Sequence, residues 1–128
     1  MTPDPLQTHS NDARVTRRRS LLQVLVCVGC CCGRVERGKP EVPVDWLKAQ
    51  WKAARLNPYV QLTISGCLGP CDRPNVVAVL TEASQQWIGE LSCQAHYDAL
   101  LGWAQTCGST RRIEPLPAAL SERTFRRF

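Results

Sequence analysis

Four cysteines fall into two short pairs about forty residues apart, and that spacing constrains the fold more than any other feature of the chain. Cys27 and Cys32 enclose four residues, and Cys67 and Cys71 enclose three, within Gly66-Cys67-Leu68-Gly69-Pro70-Cys71-Asp72. Each pair sits in a loop after a strand-like run. The pairs form one compact tetrathiolate site only if the two runs lie side by side and their loops leave at the same end.

The flanking pattern supports that arrangement. Residues 21–26 are almost continuously apolar and of strand length, which suits a buried parallel strand ending at Cys27. A loop rich in glycine, proline and charge follows over 29–43. Asp45 is the predicted N-cap of a helix over 46–56, with Leu47, Trp51 and Ala54 on one face and Asn57-Pro58 ending it. Val60, Leu62 and Ile64 then alternate with Gln61, Thr63 and Ser65 as in a half-buried strand. Residues 76–80 and 87–91 read as an antiparallel hairpin around a polar turn at 81–86. Ser92 is the predicted cap of a last helix that presents Tyr97, Leu100, Leu101 and Ala104, with Gly108 as its C′ residue.

The predicted order is β-α-β-β-β-α, with the first two strands parallel through a right-handed crossover. A hairpin and a covering helix complete an α/β two-layer sandwich on a four-stranded mixed sheet, a thioredoxin-like arrangement. The expected organisation is a flexible arm over 1–19, one folded domain over 20–108 and a basic tail without periodic pattern over 109–128.

Length and composition narrow the function classes. The 128 residues allow one domain with a modest core. Eight cysteines suit a secreted disulfide scaffold, but this chain is longer than such scaffolds, has four tryptophans and places Cys30, Cys31 and Cys32 side by side. Thiolate ligation in a reducing cytoplasm is the better reading. The net charge of +5 resides at the ends: four arginines against two aspartates in 1–19, and five arginines against two glutamates in 111–128. No folded nucleic-acid face is implied. The run 21–28 is too short to span a membrane. Thr16-Arg17-Arg18-Arg19-Ser20-Leu21-Leu22 faintly resembles a twin-arginine export signal, yet Val24, Leu25 and Val26 offer no small-residue cleavage site before Cys27.

With these residues in place, the chain resembles the thioredoxin-like [2Fe-2S] ferredoxins over about residues 21–106; the same fold and ligand pattern occurs in the small iron–sulfur subunit of respiratory complex I. The carriers are Val26-Cys27-Val28, the interval to Cys32, the Gly66 to Asp72 run, and Trp87-Ile88-Gly89-Glu90-Leu91. The resemblance implies a [2Fe-2S] cluster held by Cys27, Cys32, Cys67 and Cys71, single-electron transfer without an acid–base site, and redox partner proteins, a reductase or an acceptor enzyme. Similar ferredoxins are often homodimers. The chain departs from the family at Cys30-Cys31-Cys32, where one cysteine is usual, so Cys31 stays open as the second ligand. It also lacks the N-terminal helical extension of the complex I subunit, which favours a free-standing carrier. Relatives with the Cys-Cys-Gly-Arg run look like small bacterial proteins associated with cobalamin and cobalt-chelatase functions.

Gly29, Gly33, Gly66 and Gly69 are placed to bring backbone N–H groups to the sulfurs, and Arg34, Arg37 and Arg73 to offset thiolate charge or to face solvent. Pro70 is expected to stiffen the second loop. His9 and His96 read as surface or structural histidines, Cys93 and Cys107 as core or surface thiols, and Trp51 and Trp87 as the most buried tryptophans. Three alternatives use the same residues. A structural zinc site needs four thiolates, although x4 and x3 spacings are not zinc knuckles. A thiol–disulfide oxidoreductase needs Cys27-Val28-Gly29-Cys30 and leaves Cys67 and Cys71 unexplained. A metallochaperone uses the surplus thiols.

Overall fold

The apolar run after the polar arm forms strand β1 (Leu22–Cys27), and its alternate residues Leu22, Val24 and Val26 are buried on one face. The computed structural model describes residues 14–128. Residues 14–18 are exposed and Arg19 is half-buried; residues 1–13 of the expected flexible arm, with His9, lie outside the described residues. After β1 come a 3-10 turn at Val35–Arg37, α1 (Val44–Ala53), β2 (Val60–Ser65), β3 (Val77–Thr81), β4 (Gln85–Ile88), α2 (Gln94–Thr110), α3 (Ala118–Ser121) and β5 (Thr124–Phe125).

The strands form one mixed α/β sheet in the order β2-β1-β3-β4-β5. β1 and β2 are parallel, with Val24 opposite Leu62 and Val26 opposite Ile64. β3 runs antiparallel to β1, β4 to β3 and β5 to β4. The core gathers Leu22, Val24 and Val26 with Val77 and Val79, Leu47 and Trp51 of α1, and Tyr97, Leu100 and Ala104 of α2. The Trp51 indole N–H closes its corner by donating to the Val60 carbonyl at 2.9 Å. On the other face of β1 and β2, Gln23 donates to the Thr63 hydroxyl at 2.8 Å.

Several helix ends differ from the sequence reading. Pro43 precedes α1, and Asp45 lies inside the first turn, where its charge suits the helix dipole without a side-chain cap. Ser92 does not cap α2: its backbone N–H donates to His96 Nδ1 at 2.9 Å, and Cys93 precedes the helix. Gly108 is not a C′ residue. It lies within α2, where a Cβ would come 3.3 Å from Leu56, and the helix runs on to Thr110. Arg111 takes the left-handed conformation instead (φ 59°) and lays its guanidinium 3.2 Å over the Tyr59 ring. Trp87 is half-buried, whereas Trp103 is buried and donates to the Glu114 carbonyl at 2.7 Å.

Among the described residues the sheet has five strands rather than four, and residues 109–128 are not a free tail. Leu120 is fully buried, Leu116 packs against the same core, and the Glu114 amide contacts Cys107 Sγ at 3.3 Å. β5 then pairs Phe125 with Trp87 and Thr124 with Ile88. Burial of a few apolar side chains fixes this segment despite its basic composition. Among the described residues, no helix is long and apolar enough to cross a membrane.

Leu120→Ala is expected to destabilise the chain by about 3 kcal/mol, measured by urea denaturation, because a buried leucine leaves a cavity. A free tail would give no change. A second expectation concerns His96, which is 8% exposed. Burial, and then the Arg123 guanidinium, hold its imidazole below the ordinary 6.5, against a smaller opposing effect of Glu122. The unfolded chain binds this proton first, so stability is complete above the unfolded value and falls as pH drops from there towards the lowered folded value. His96→Gln should reduce the stability lost between about pH 7.5 and about pH 5.5 in the same urea experiment.

Candidate metal centre

The parallel register sets Cys27 opposite Ser65, so the loops after β1 and β2 leave the same end of the sheet. Two hydrogen bonds extend the pairing: Cys27 N–H to the Val76 carbonyl and Val28 N–H to the Ser65 carbonyl, both at 3.0 Å. Strand alternation turns Cys27 away from the helix-covered face. There it is buried with Cys32 and Val76, and Leu68, Trp87 and Phe125 pack around them.

The first loop reverses at once. Gly29 and Cys32 form an antiparallel bridge, with the Gly29 amide donating to the Cys32 carbonyl at 3.0 Å. Gly29 (φ 93°) and Cys30 (φ 33°) both occupy positive-φ conformations in this turn. The reversal carries Cys32 back beside Cys27, leaves Cys31 half-buried and puts Cys30 at the exposed tip. The Cys27-x-x-Cys30 pair is therefore split between a buried and an exposed thiol. Cys32 hydrogen-bonds the Cys27 thiol and the Val76 amide. Burial, and then the Cys27 partner, push its thiol up to about 12.

The second loop is tight: the Cys71 amide donates to the Gly69 carbonyl at 2.8 Å and the Arg73 amide to the Pro70 carbonyl at 3.1 Å. Gly69 has φ 120°, a conformation that a side chain would strain. The Cys67 and Cys71 sulfurs lie 3.4 Å apart. That contact, and then the Gly69 amide, hold the Cys67 thiol below its ordinary value, while the same contact, followed by burial, pushes Cys71 up to about 12.

Cys27, Cys32, Cys67 and Cys71 all line one small cavity, too tight to admit a water molecule, with Cys31, Gly69, Pro70 and Val76 completing its wall. Cys30 joins from outside: its sulfur and those of Cys67 and Cys71 lie within 4.8 Å of one another. An all-sulfur donor set with amide N–H groups on the Cys32 and Cys67 sulfurs fits a thiolate-ligated metal or cluster.

Some supporting groups are not the expected ones. Of the four glycines, Gly69 brings its amide to a sulfur, whereas Gly29 bonds the Cys32 carbonyl and Gly33 bonds Asn75. Arg34 pairs with Glu36, and Arg73 pairs with Glu90 at 3.6 Å. The guanidinium whose charge favours the Cys67 thiolate belongs to Arg127, which lies against Gly69 and 5.3 Å from the Trp87 ring.

Sequence reasoning missed Asn75 altogether. It is 1% exposed and ties three segments together. Its Oδ1 accepts the Gly33 amide at 2.6 Å, and its Nδ2 donates to the Pro40 carbonyl at 2.9 Å and the Leu91 carbonyl at 3.1 Å. The first cysteine loop is thereby fastened to the segments entering β3 and α2. In sequence, the only signal was an asparagine beside a proline, which reads as an ordinary turn.

The chain matches no protein-family model, no curated protein and no solved structure.

Asn75→Ala leaves the Gly33 amide and two carbonyls without these partners. A loss of about 3 kcal/mol is expected in urea denaturation, since each unsatisfied buried group costs about 1–3 kcal/mol. Cys32, 3% exposed in the intact chain, should become readily alkylated in the variant, as read by peptide mass spectrometry. Unchanged protection would show that Asn75 does not secure this loop.

Proposed function

We propose that this chain is a [2Fe-2S] ferredoxin-like electron carrier on a thioredoxin-like scaffold, with the cluster held by Cys27, Cys32, Cys67 and Cys71. The observation that carries this reading is the convergence of these four thiols on one cavity at the ends of two parallel strands. The scaffold assignment draws support from the order β2-β1-β3-β4, with the first pair parallel and the rest antiparallel.

A cluster of this type supplies single-electron transfer when bound. The chain's own residues have separate duties. Val76, Leu68, Trp87 and Phe125 shield the Cys27–Cys32 side from water. The Val76 and Gly69 amides and the Arg127 guanidinium place positive dipoles and charge beside thiolates, which favours the reduced, more negative state. Arg73, Arg126 and Arg127 rim the second loop together with Pro70 and Asp72, a surface suited to redox partner proteins. We assign these arginines to the thiolate site and its partners, with no role in binding nucleic acid or membrane. Ligation of a metal by cysteine thiolates suits a reducing cytoplasm, which is the proposed compartment. The resemblance to cobalamin-associated bacterial proteins makes that metabolism the proposed setting.

Purification without oxygen should yield a brown protein that bleaches with dithionite and then gives a rhombic electron-spin signal. A colourless protein with one equivalent of zinc would replace this reading with the structural zinc site. Cys32→Ser is expected to abolish more of the visible absorption than Cys31→Ser, since Cys32 is the thiol folded back against Cys27.

A further inference from the structure

Cys30 has a second peculiarity besides its exposure. It is a non-glycine residue in the left-handed region (φ 33°), a conformation that costs energy and that the Gly29–Cys32 bridge enforces. The turn that strains its backbone also aims its sulfur at the second cysteine loop, within 4.8 Å of the Cys67 and Cys71 sulfurs. Cys30 and Cys67 are exposed and Cys71 is half-buried, so this group faces solvent while Cys27 and Cys32 lie behind it. The Cys30 carbonyl is also tethered, accepting from Arg34 at 3.5 Å.

We infer that Cys30, Cys67 and Cys71 form an outward-facing three-thiolate site that captures a thiophilic divalent cation. Three sulfurs leave a fourth, open coordination position on the solvent side, as in sites that exchange a ligand. Soft thiolates select zinc-like or cadmium-like ions over hard cations. Binding replaces S–H bonds with S–metal bonds and releases those protons to solvent. The outer site shares Cys67 and Cys71 with the inner four-cysteine set, so one ion cannot be bound fully by both sets at once. The inference rests on reading the thiol cluster as a metal centre, though not on the metal being iron.

Cadmium ion alone is the probe, added to the reduced full-length chain without oxygen and followed by sulfur-to-cadmium charge-transfer absorption. The Cys27→Ser/Cys32→Ser protein should bind one Cd²⁺ per chain. Adding Cys30→Ser should weaken that binding by more than about a hundredfold, beyond the loss that an outer-shell partner gives. Adding Cys31→Ser should leave it unchanged. Because serine at two buried positions can unfold the protein, Cys30→Ser is also made alone, at a surface position. That variant should take up Cd²⁺ at least about tenfold more slowly in stopped flow, whereas Cys93→Ser, at another exposed cysteine, should not. An unchanged uptake rate in Cys30→Ser overturns the inference. So does a folded Cys27→Ser/Cys32→Ser protein whose Cd²⁺ affinity ignores Cys30. If the iron–sulfur spectrum is absent but both cadmium responses occur, the cluster reading falls and the outer site stands. If the spectrum is present and neither cadmium response occurs, the cluster reading stands and the outer site falls.

Discussion

The parallel register between β1 and β2 governs everything built at the thiol end of the molecule. Cys27 stands opposite Ser65, the last residue of β2, and two residues further on the loop reaches Cys67. Side chains alternate along a strand, so a slip by one residue would send Cys27 into the helix-covered core and Val26 out of it. Val24 and Val26 prevent that slip because both are almost completely buried between the sheet and its helices. The apolar core thus sets the address of the sulfurs without touching them.

Backbone polarity sets the rest. A loop of the length between β1 and α1 carries many amides and carbonyls that need partners wherever water is excluded. Asn75 supplies both kinds of partner from one side chain, and Tyr97 stands near it at 3.5 Å from Nδ2. The Val76 amide, next in the chain, turns to the Cys32 sulfur. One short segment therefore fastens the loop and solvates a thiol, which couples the shape of the first loop to the electrostatics of the site.

Much of this was legible in the sequence, for identifiable reasons. The apolar run of β1, the alternation from Val60 to Ser65 and the Leu47–Trp51 stripe each bury one face of a regular element, and such elements leave a periodic trace. The C-terminal segment leaves none. Its anchors are one fully buried leucine and a two-residue strand, too few positions for any period, inside a stretch whose arginines resemble a solvated tail. Asn75 was invisible because its importance lies in partners distant along the chain, and His96, read as a surface or structural histidine, showed no sign of its Arg123 partner for the same reason. Spacing alone ranked Cys32 above Cys30 as a partner for Cys27, but it carried no information about the turn that swings Cys30 towards the other loop.

The principal core and the small cluster around Cys27, Cys32 and Val76 are separate bodies of packed side chains. Very small metal domains have no such reserve: for them, binding an ion and folding are one event, and much of the affinity is consumed in ordering the chain. Here the aliphatic interior orders the strands by its own burial. A metal bound at the sulfurs, as proposed, would therefore meet a preorganised receptor, and its binding free energy would go into affinity and selectivity. On the proposed reading, losing the metal would leave the strands in place, because their order comes from the aliphatic core and not from the sulfurs.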